Sequence, residues 1–387
     1  MGRRRARADR SHICFAVLTL VLAAAVPPAF GIDCDREIDP INWETDVRSL
    51  IHAVTPADVE RIRGELIEYI WKAPMLPTAL PEVETGVANP FPELAQLTDL
   101  KRIDRLTVAV DGFVSRMFLF IPTDARRRLV IFHQGHTDSV AGANGAETVT
   151  FLLAHRYPVL IVHMPLYGLN SAPVARGFTF HDRMFDRETP TLSPFKYFLE
   201  PIVQAVNYAE RVLRVWRLYM VGISGGGWTT VLAAAVDPRI DVSFPVAGSL
   251  PLYLRRPEDP CLKPGDHGDR EQYHPGLYGI ADYLDLYILG SYGRGRGQLQ
   301  VVNQFDDCCF GGLRYLTYRD IVQNVVAGLQ RGSYNVFLDS SHRSHLISRH
   351  TLEDAIYPVL RHGRFPEGSE GPRVRGFKGA RVRGPGR

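Results

Sequence analysis

The chain has 387 residues, 45% hydrophobic and 22% charged, enough to bury a large core as one α/β domain or two smaller ones and unlike a fibrous or disordered protein. Its net charge of +3 comes from the ends: residues 1–31 hold five Arg and one Asp, and residues 363–387 hold seven Lys or Arg and two Glu, so the part between carries about −6. That distribution excludes a basic nucleic-acid groove, and no nucleic-acid partner is expected.

In chain order, Arg3, Arg4, Arg5, Arg7 and Arg10 precede an apolar run from Ile13 to Val26, and Ala29-Phe30-Gly31 forms a small-x-small cleavage site. The run falls short of the roughly 20 residues a spanning helix needs. Residues 1–31 therefore read as a signal peptide, with an uncleaved N-terminal anchor as the alternative. The expected location is secreted or periplasmic, with no membrane span in the mature chain. Beyond the leader stand Cys34, Cys261, Cys308 and Cys309, an even number in an oxidising compartment. A disulfide is expected, but the pairing stays open; Cys308 and Cys309 would pair with each other only in a strained ring.

Residues 32–102 read as a helical segment and a linker. Val47, Ile51, Val54, Val59, Ile62, Leu66 and Ile70 recur every three to four residues with a break at Thr55-Pro56, which predicts two short amphipathic helices, the second capped by Thr55. Pro77, Pro81, Pro90 and Pro92 then mark an extended linker. From residue 103 to 362 the pattern is that of an α/β domain. Strands at Ile103–Val110 and Phe113–Ile121 flank Asp111-Gly112, a hairpin turn. Strand Leu129–Phe132, a helix near Glu147–His155, strand Val159–His163, helix Pro194–Val212 kinked at Pro201, and strand Leu218–Val221 follow.

Next comes Gly222-Ile223-Ser224-Gly225-Gly226, a G-x-S-x-G turn between an apolar strand and a helix reaching Val236. Such a turn holds the serine hydroxyl out of the sheet at a helix N-terminus, so Ser224 is the candidate nucleophile. The glycines lack the following Lys of a phosphate-binding loop. A strand near Ile240–Val246 precedes a Tyr- and Pro-rich excursion at about 251–297, too long for an ordinary connection and read as a lid. Its Tyr253, Tyr273, Tyr278, Tyr283 and Tyr287 would either stack on a sugar or aromatic ester or pack the lid. Strand Leu299–Gln304, helix Leu313–Leu329, strand Tyr334–Leu338 and a helix from Ser348 to Leu360 complete the domain. The expected fold is a mostly parallel central sheet with helices on both faces and a lid insertion. Residues 363–387, rich in Arg, Gly and Pro, read as a disordered basic tail.

A serine nucleophile needs a base and a carboxylate that orients it. Asp306 and Asp307 follow one strand and His342 and His345 follow the next, which gives the order Ser, Asp, His expected of this turn. At this point the chain resembles the α/β-hydrolase superfamily over roughly residues 103–361. Asn303-Gln304-Phe305-Asp306-Asp307-Cys308-Cys309-Phe310 resembles a segment of bacterial secreted or periplasmic hydrolases in which Asp precedes Pro-Cys-Cys-Phe. The resemblance implies Asp306 as the acid, although Asp307 stands where the proline would be. It implies His345, at the start of the last helix, as the base, with His342 as alternative. It also implies an oxyanion hole from the N–H groups of Gly225 and His136, the latter in His133-Gln134-Gly135-His136.

The implied activity is a Ser-His-Asp carboxylic ester hydrolase acting on a small-molecule or polymer-linked ester, with a serine peptidase or an inactive binding scaffold as alternatives. No cofactor and no metal are expected, because His133/His136 and His342/His345 lie on loops where H-x-x-H spacing does not aim both rings at one point. The patch from His181 to Glu188 is mixed in charge and reads as a solvated loop.

Overall fold

The computed structural model describes residues 32–170, 181–363 and 365. The stretch 1–31 read as a signal peptide, and residue 364 and residues 366–387 of the stretch read as a basic tail, lie outside the described residues. Eight helices and nine strands are described: α1 (Pro56–Trp71), β1 (Glu82–Thr85), β2 (Leu100–Val110), β3 (Phe113–Pro122), β4 (Arg128–His133), α2 (Gly145–Ala154), β5 (Val159–Val162), α3 (Phe195–Arg211), β6 (Arg217–Ile223), α4 (Gly225–Val236), β7 (Val242–Val246), α5 (Pro275–Tyr278), α6 (Tyr283–Ser291), β8 (Gly297–Asn303), α7 (Arg319–Gly328), β9 (Ser333–Asp339) and α8 (Tyr357–His362).

The strands form one sheet in the order β1-β2-β3-β5-β4-β6-β7-β8-β9. The first three are antiparallel and the rest run parallel from β5 to β9. Alternation along the central strands shows why both faces must be covered. In β4, Leu129 and Ile131 point into a core shared with α1, α3, α4, α6 and α7, while Val130 and Phe132 point into a second core with α2 and the last helix. This is the α/β-hydrolase fold, and it gathers the carboxyl ends of β4, β6, β8 and β9 along one edge, where open α/β sheets bind ligands.

The local expectations hold where periodicity or turn chemistry is strong. α1 starts at a capping box between Thr55 and Asp58, with Pro56 at its first position. Asp111 and Gly112 adopt φ of 47° and 83°, the left-handed pair that a two-residue hairpin needs. Other elements differ. The helix expected before Thr55 is two 3₁₀ turns, Pro40–Trp43 and Val47–Leu50. β1 lies in the proline-rich linker and pairs with β2 as an edge strand. α3, by contrast, is one helix from Phe195 to Arg211 with Pro201 inside it, in line with the predicted span. The helix expected from Leu313 begins as a 3₁₀ turn, Arg314–Thr317, and the last helix opens as a π turn, Thr351–Ile356.

The stretch at 251–297 is not a cover throughout. α6 is buried along its whole length and belongs to the core. Most of its tyrosines are packing residues and not a stacking platform: Tyr283 and Tyr287 are fully buried, and the Trp228 Nε1–H donates to the Tyr278 hydroxyl at 2.8 Å. Tyr273 is the exposed one, at 46%.

Candidate active site

Ser224 stands between β6 and α4 with φ 58° and ψ −127°, a backbone that L-residues rarely adopt. Such strain costs on the order of 1–3 kcal/mol and persists only where the surroundings over-determine it. Here they do: a Cβ on Gly222 would lie 2.1 Å from the Gly226 carbonyl oxygen, and one on Gly226 would lie 2.2 Å from that of His133. The turn is further tied down by the Ser224 N–H, which donates to Val246 O at 3.0 Å. Among the described residues neither the Gly225 nor the His136 backbone N–H has an acceptor.

Asp306 follows β8 and is fully buried; its Oδ2 lies 2.7 Å from Nδ1 of His345. Its Oδ1 accepts from the N–H groups of Cys308 and Cys309 at 2.9 and 3.3 Å. Burial pushes the Asp306 carboxyl up, but His345 and these two amides outweigh it and hold the group below its ordinary value. An ionised Asp306 fixes the proton of His345 on Nδ1 and leaves Nε2 as an acceptor.

Ser224, His345 and His136 line one cavity of about 370 Å³, together with Pro264, Gly265, Asp269 and Phe310. The Ser224 hydroxyl makes no hydrogen bond to His345 here, and such contacts often close only with substrate bound.

The alternatives lie elsewhere. His342 faces Asp339, with Nε2 3.4 Å from its Oδ2, and this contact raises the pKa of His342. Asp307 is exposed and accepts from Arg343 at 3.1 Å. Two disulfides are described: Cys34 with Cys261, Cα atoms 5.2 Å apart, and Cys308 with Cys309. The second is the adjacent pair, and it sits in the turn whose amides hold Asp306.

Around His136 the structure gathers residues that sequence reading did not connect. Its ring contacts Asp269 and Glu271 and stacks on His181 at 4.7 Å between ring centroids. The patch at 181–188 is therefore not a solvated loop, since His181, Met184 and Phe185 are buried. No spacing signal could have found this group, because its members come from three irregular segments. His133 points away: its ring donates from Nδ1 to Gln134 O, and burial pushes its pKa down to about 3.

No protein-family model and no curated protein matches the sequence. Similar solved structures include acetyl xylan esterase 1 from Thermoanaerobacterium sp. JW/SL YS485, 14% identical, covering 78% of this chain and 93% of that one at a TM-score of 0.48. An acetyl xylan esterase from Paenibacillus sp. R4 is 14% identical, with 77% and 92% covered and a TM-score of 0.48. A glucuronoyl esterase from Solibacter usitatus is 16% identical, with 85% and 97% covered and a TM-score of 0.47. The strand order and the turn at Ser224 carry the fold assignment themselves: the chain has the α/β-hydrolase fold, with a serine at the apex of its strand-to-helix turn.

Proposed function

We propose that the protein is a secreted serine hydrolase that cleaves carboxylic esters through an acyl-enzyme. The observation that supports this most is the pair of half-buried His345 and buried Asp306, whose histidine lines the same cavity as the strained Ser224. In this reading His345 Nε2 takes the Ser224 proton as Oγ bonds to the ester carbonyl carbon. The carbonyl oxygen becomes an oxyanion between the Gly225 and His136 N–H groups. His345 then returns the proton to the departing alkoxide as the ester C–O bond breaks. A water enters by the reverse sequence and releases the acid. One well-placed oxyanion donor is worth about 2.7–4 kcal/mol in such reactions.

The cavity of about 370 Å³ beside the segment 264–272 has room for a compact acyl or alcohol group. Export is supported by the leader at 1–31 and by two cystine pairs, which persist in oxidising compartments. Among the described residues no helix is long and apolar enough to cross a membrane.

The test is a panel of p-nitrophenyl esters of increasing acyl length beside peptide p-nitroanilides, with purified wild type and Ser224→Ala. Ester turnover lost by on the order of 10⁴-fold or more in the variant is expected. Turnover of anilides alone, or ester turnover that survives Ser224→Ala, would contradict the proposal.

A further inference from the structure

Positive charge accumulates at the edge of the sheet opposite the cavity, where the parallel strands begin. Arg126, Arg127 and Arg128 open β4, Arg214 precedes β6, Arg331 precedes β9, and Arg361 stands in the last turn of α8. The register sets these starts side by side: Arg128 pairs with Arg217, Tyr219 with Val242, Val242 with Gly297 and Gly297 with Ser333. Arg128 Nη1 also donates to Leu360 O at 2.9 Å, which puts the end of α8 on the same edge.

None of these six arginines is paired with a carboxylate among the described residues. Those of the β4 start donate to carbonyl oxygens instead, of His155, Arg214 and Leu360. Nearby Arg217 and Arg239 are the neutralised ones, by Asp241 and by Asp237 with Glu210. The excess is not a matter of composition, because the chain between its two basic ends carries about −6. Cations gathered on one edge repel one another, and an anionic surface against that edge relieves the repulsion.

Two apolar side chains project from the same edge. Trp216 is 70% exposed and Val212 50%, both in the connection from α3 to β6, and the Arg128 guanidinium lies 5.5 Å from the Trp216 ring centroid. An exposed tryptophan among arginines suits a lipid headgroup layer, where the ring has an apolar side to enter and the cations meet phosphates. Beside it a cavity of about 320 Å³, lined by Arg128, Arg217, Tyr219, Arg361, His362 and Phe365, has room for a phosphate headgroup. The described chain ends at Phe365 on this edge, and residues 366–387 hold six Lys or Arg against two Glu, which adds charge of the same sign.

We propose that this edge docks the protein on a bilayer containing anionic phospholipid, with the guanidinium groups on phosphate oxygens and Trp216 at headgroup depth. The carboxyl ends of the strands, and with them the cavity at Ser224, then face away from the bilayer. The surface serves attachment, and the catalytic cavity stays open to water-borne or polymer-linked substrate. Vesicle binding is measured without an ester, so its outcome is independent of the hydrolase reading.

The full mature chain is sedimented with vesicles of phosphatidylcholine alone and of phosphatidylcholine with about 30% phosphatidylglycerol, each in ~50 mM and ~500 mM NaCl. Binding to the anionic vesicles in low salt, lost in high salt and absent from phosphatidylcholine, is expected. The decisive variant is Arg214→Gln with Arg331→Gln and Arg361→Gln, which leaves residues 366–387 intact and removes side chains that donate no hydrogen bond among the described residues. It should bind roughly 100-fold more weakly while keeping the wild-type near-UV circular dichroism. Trp216→Ala should weaken binding about 10-fold, since the ring leaves water on docking. Wild type that ignores anionic vesicles would overturn the proposal. So would a folded triple variant that binds like wild type, which would assign the binding to residues outside this edge, or a wild type retained by soluble polygalacturonate and not by vesicles, which would assign the edge to an acidic polysaccharide.

Discussion

At the scale of single residues, the sequence favoured Asp306 and His345 but kept Asp307 and His342 as alternatives, and their surroundings differ in burial and partners. Asp306 is enclosed and bonded to His345, whereas Asp307 sits in solvent with Arg343 and His342 belongs to Asp339. His345→Ala should therefore cost nearly as much turnover as Ser224→Ala, and the double variant should be hardly worse than either, because the pair acts as a unit. Asp306→Asn should lose on the order of 10⁴-fold in kcat through the wrong histidine tautomer. His342→Ala and Asp307→Asn should stay within about 10-fold, some 1.4 kcal/mol of barrier. Steady-state kinetics on one ester checks all of these, and a crippled His342→Ala beside an active His345→Ala would reverse the assignment. Ser224 was legible because a G-x-S-x-G between strand and helix is a local pattern. The group around His136 was not, because it is assembled by tertiary contact from segments with no period.

Elements were legible in proportion to how strongly one physical cause dominated. β4 and β6 are continuous apolar runs because they are buried on both faces, and α1 carries its own cap. β1 was hidden among prolines because an edge strand needs only half its ladder. The turn at Ser224 owes its shape to backbone closeness, so Gly222→Ala should abolish catalysis and cost roughly 1–3 kcal/mol or more of stability. Denaturant unfolding measures the second effect; a variant as stable and active as wild type would contradict the steric reading.

The connection after β9 has its own anchor in Asp339. Burial pushes this carboxyl up, but the ion-pair contact with His342 and the hydrogen bonds donated by Ser341, Ser348 and Thr351 hold it far below its ordinary value. With a folded pKa below the unfolded value of about 3.9, its stabilisation is complete above that value and is lost as pH falls through the folded pKa. The stability gap between wild type and Asp339→Asn should accordingly be full above about pH 4 and narrow progressively as pH falls below it. Thermal melts across that range test it, and a gap independent of pH would contradict it.

At the scale of the whole molecule, the fold class followed from the alternation of strands and helices, while the staples that hold it could not be read. The bond between Cys34 and Cys261 spans a sequence separation of 227 and ties the start of the described chain to the segment over the cavity. Constraining so long a loop is worth typically 2–4 kcal/mol. Sequence shows which cysteines exist but not which approach each other, and that depends on the finished fold. All of this architecture converges on one strained serine, so the most direct measurement is its reactivity. The intact protein is treated with a fluorophosphonate, digested, and mapped by mass spectrometry, with Ser224→Ala and His345→Ala alongside. One phosphonyl adduct per chain on the peptide holding Ser224, absent from Ser224→Ala and formed far more slowly in His345→Ala, is the predicted result. An unmodified Ser224 in folded wild type, or labelling that persists in Ser224→Ala, would contradict its role as nucleophile.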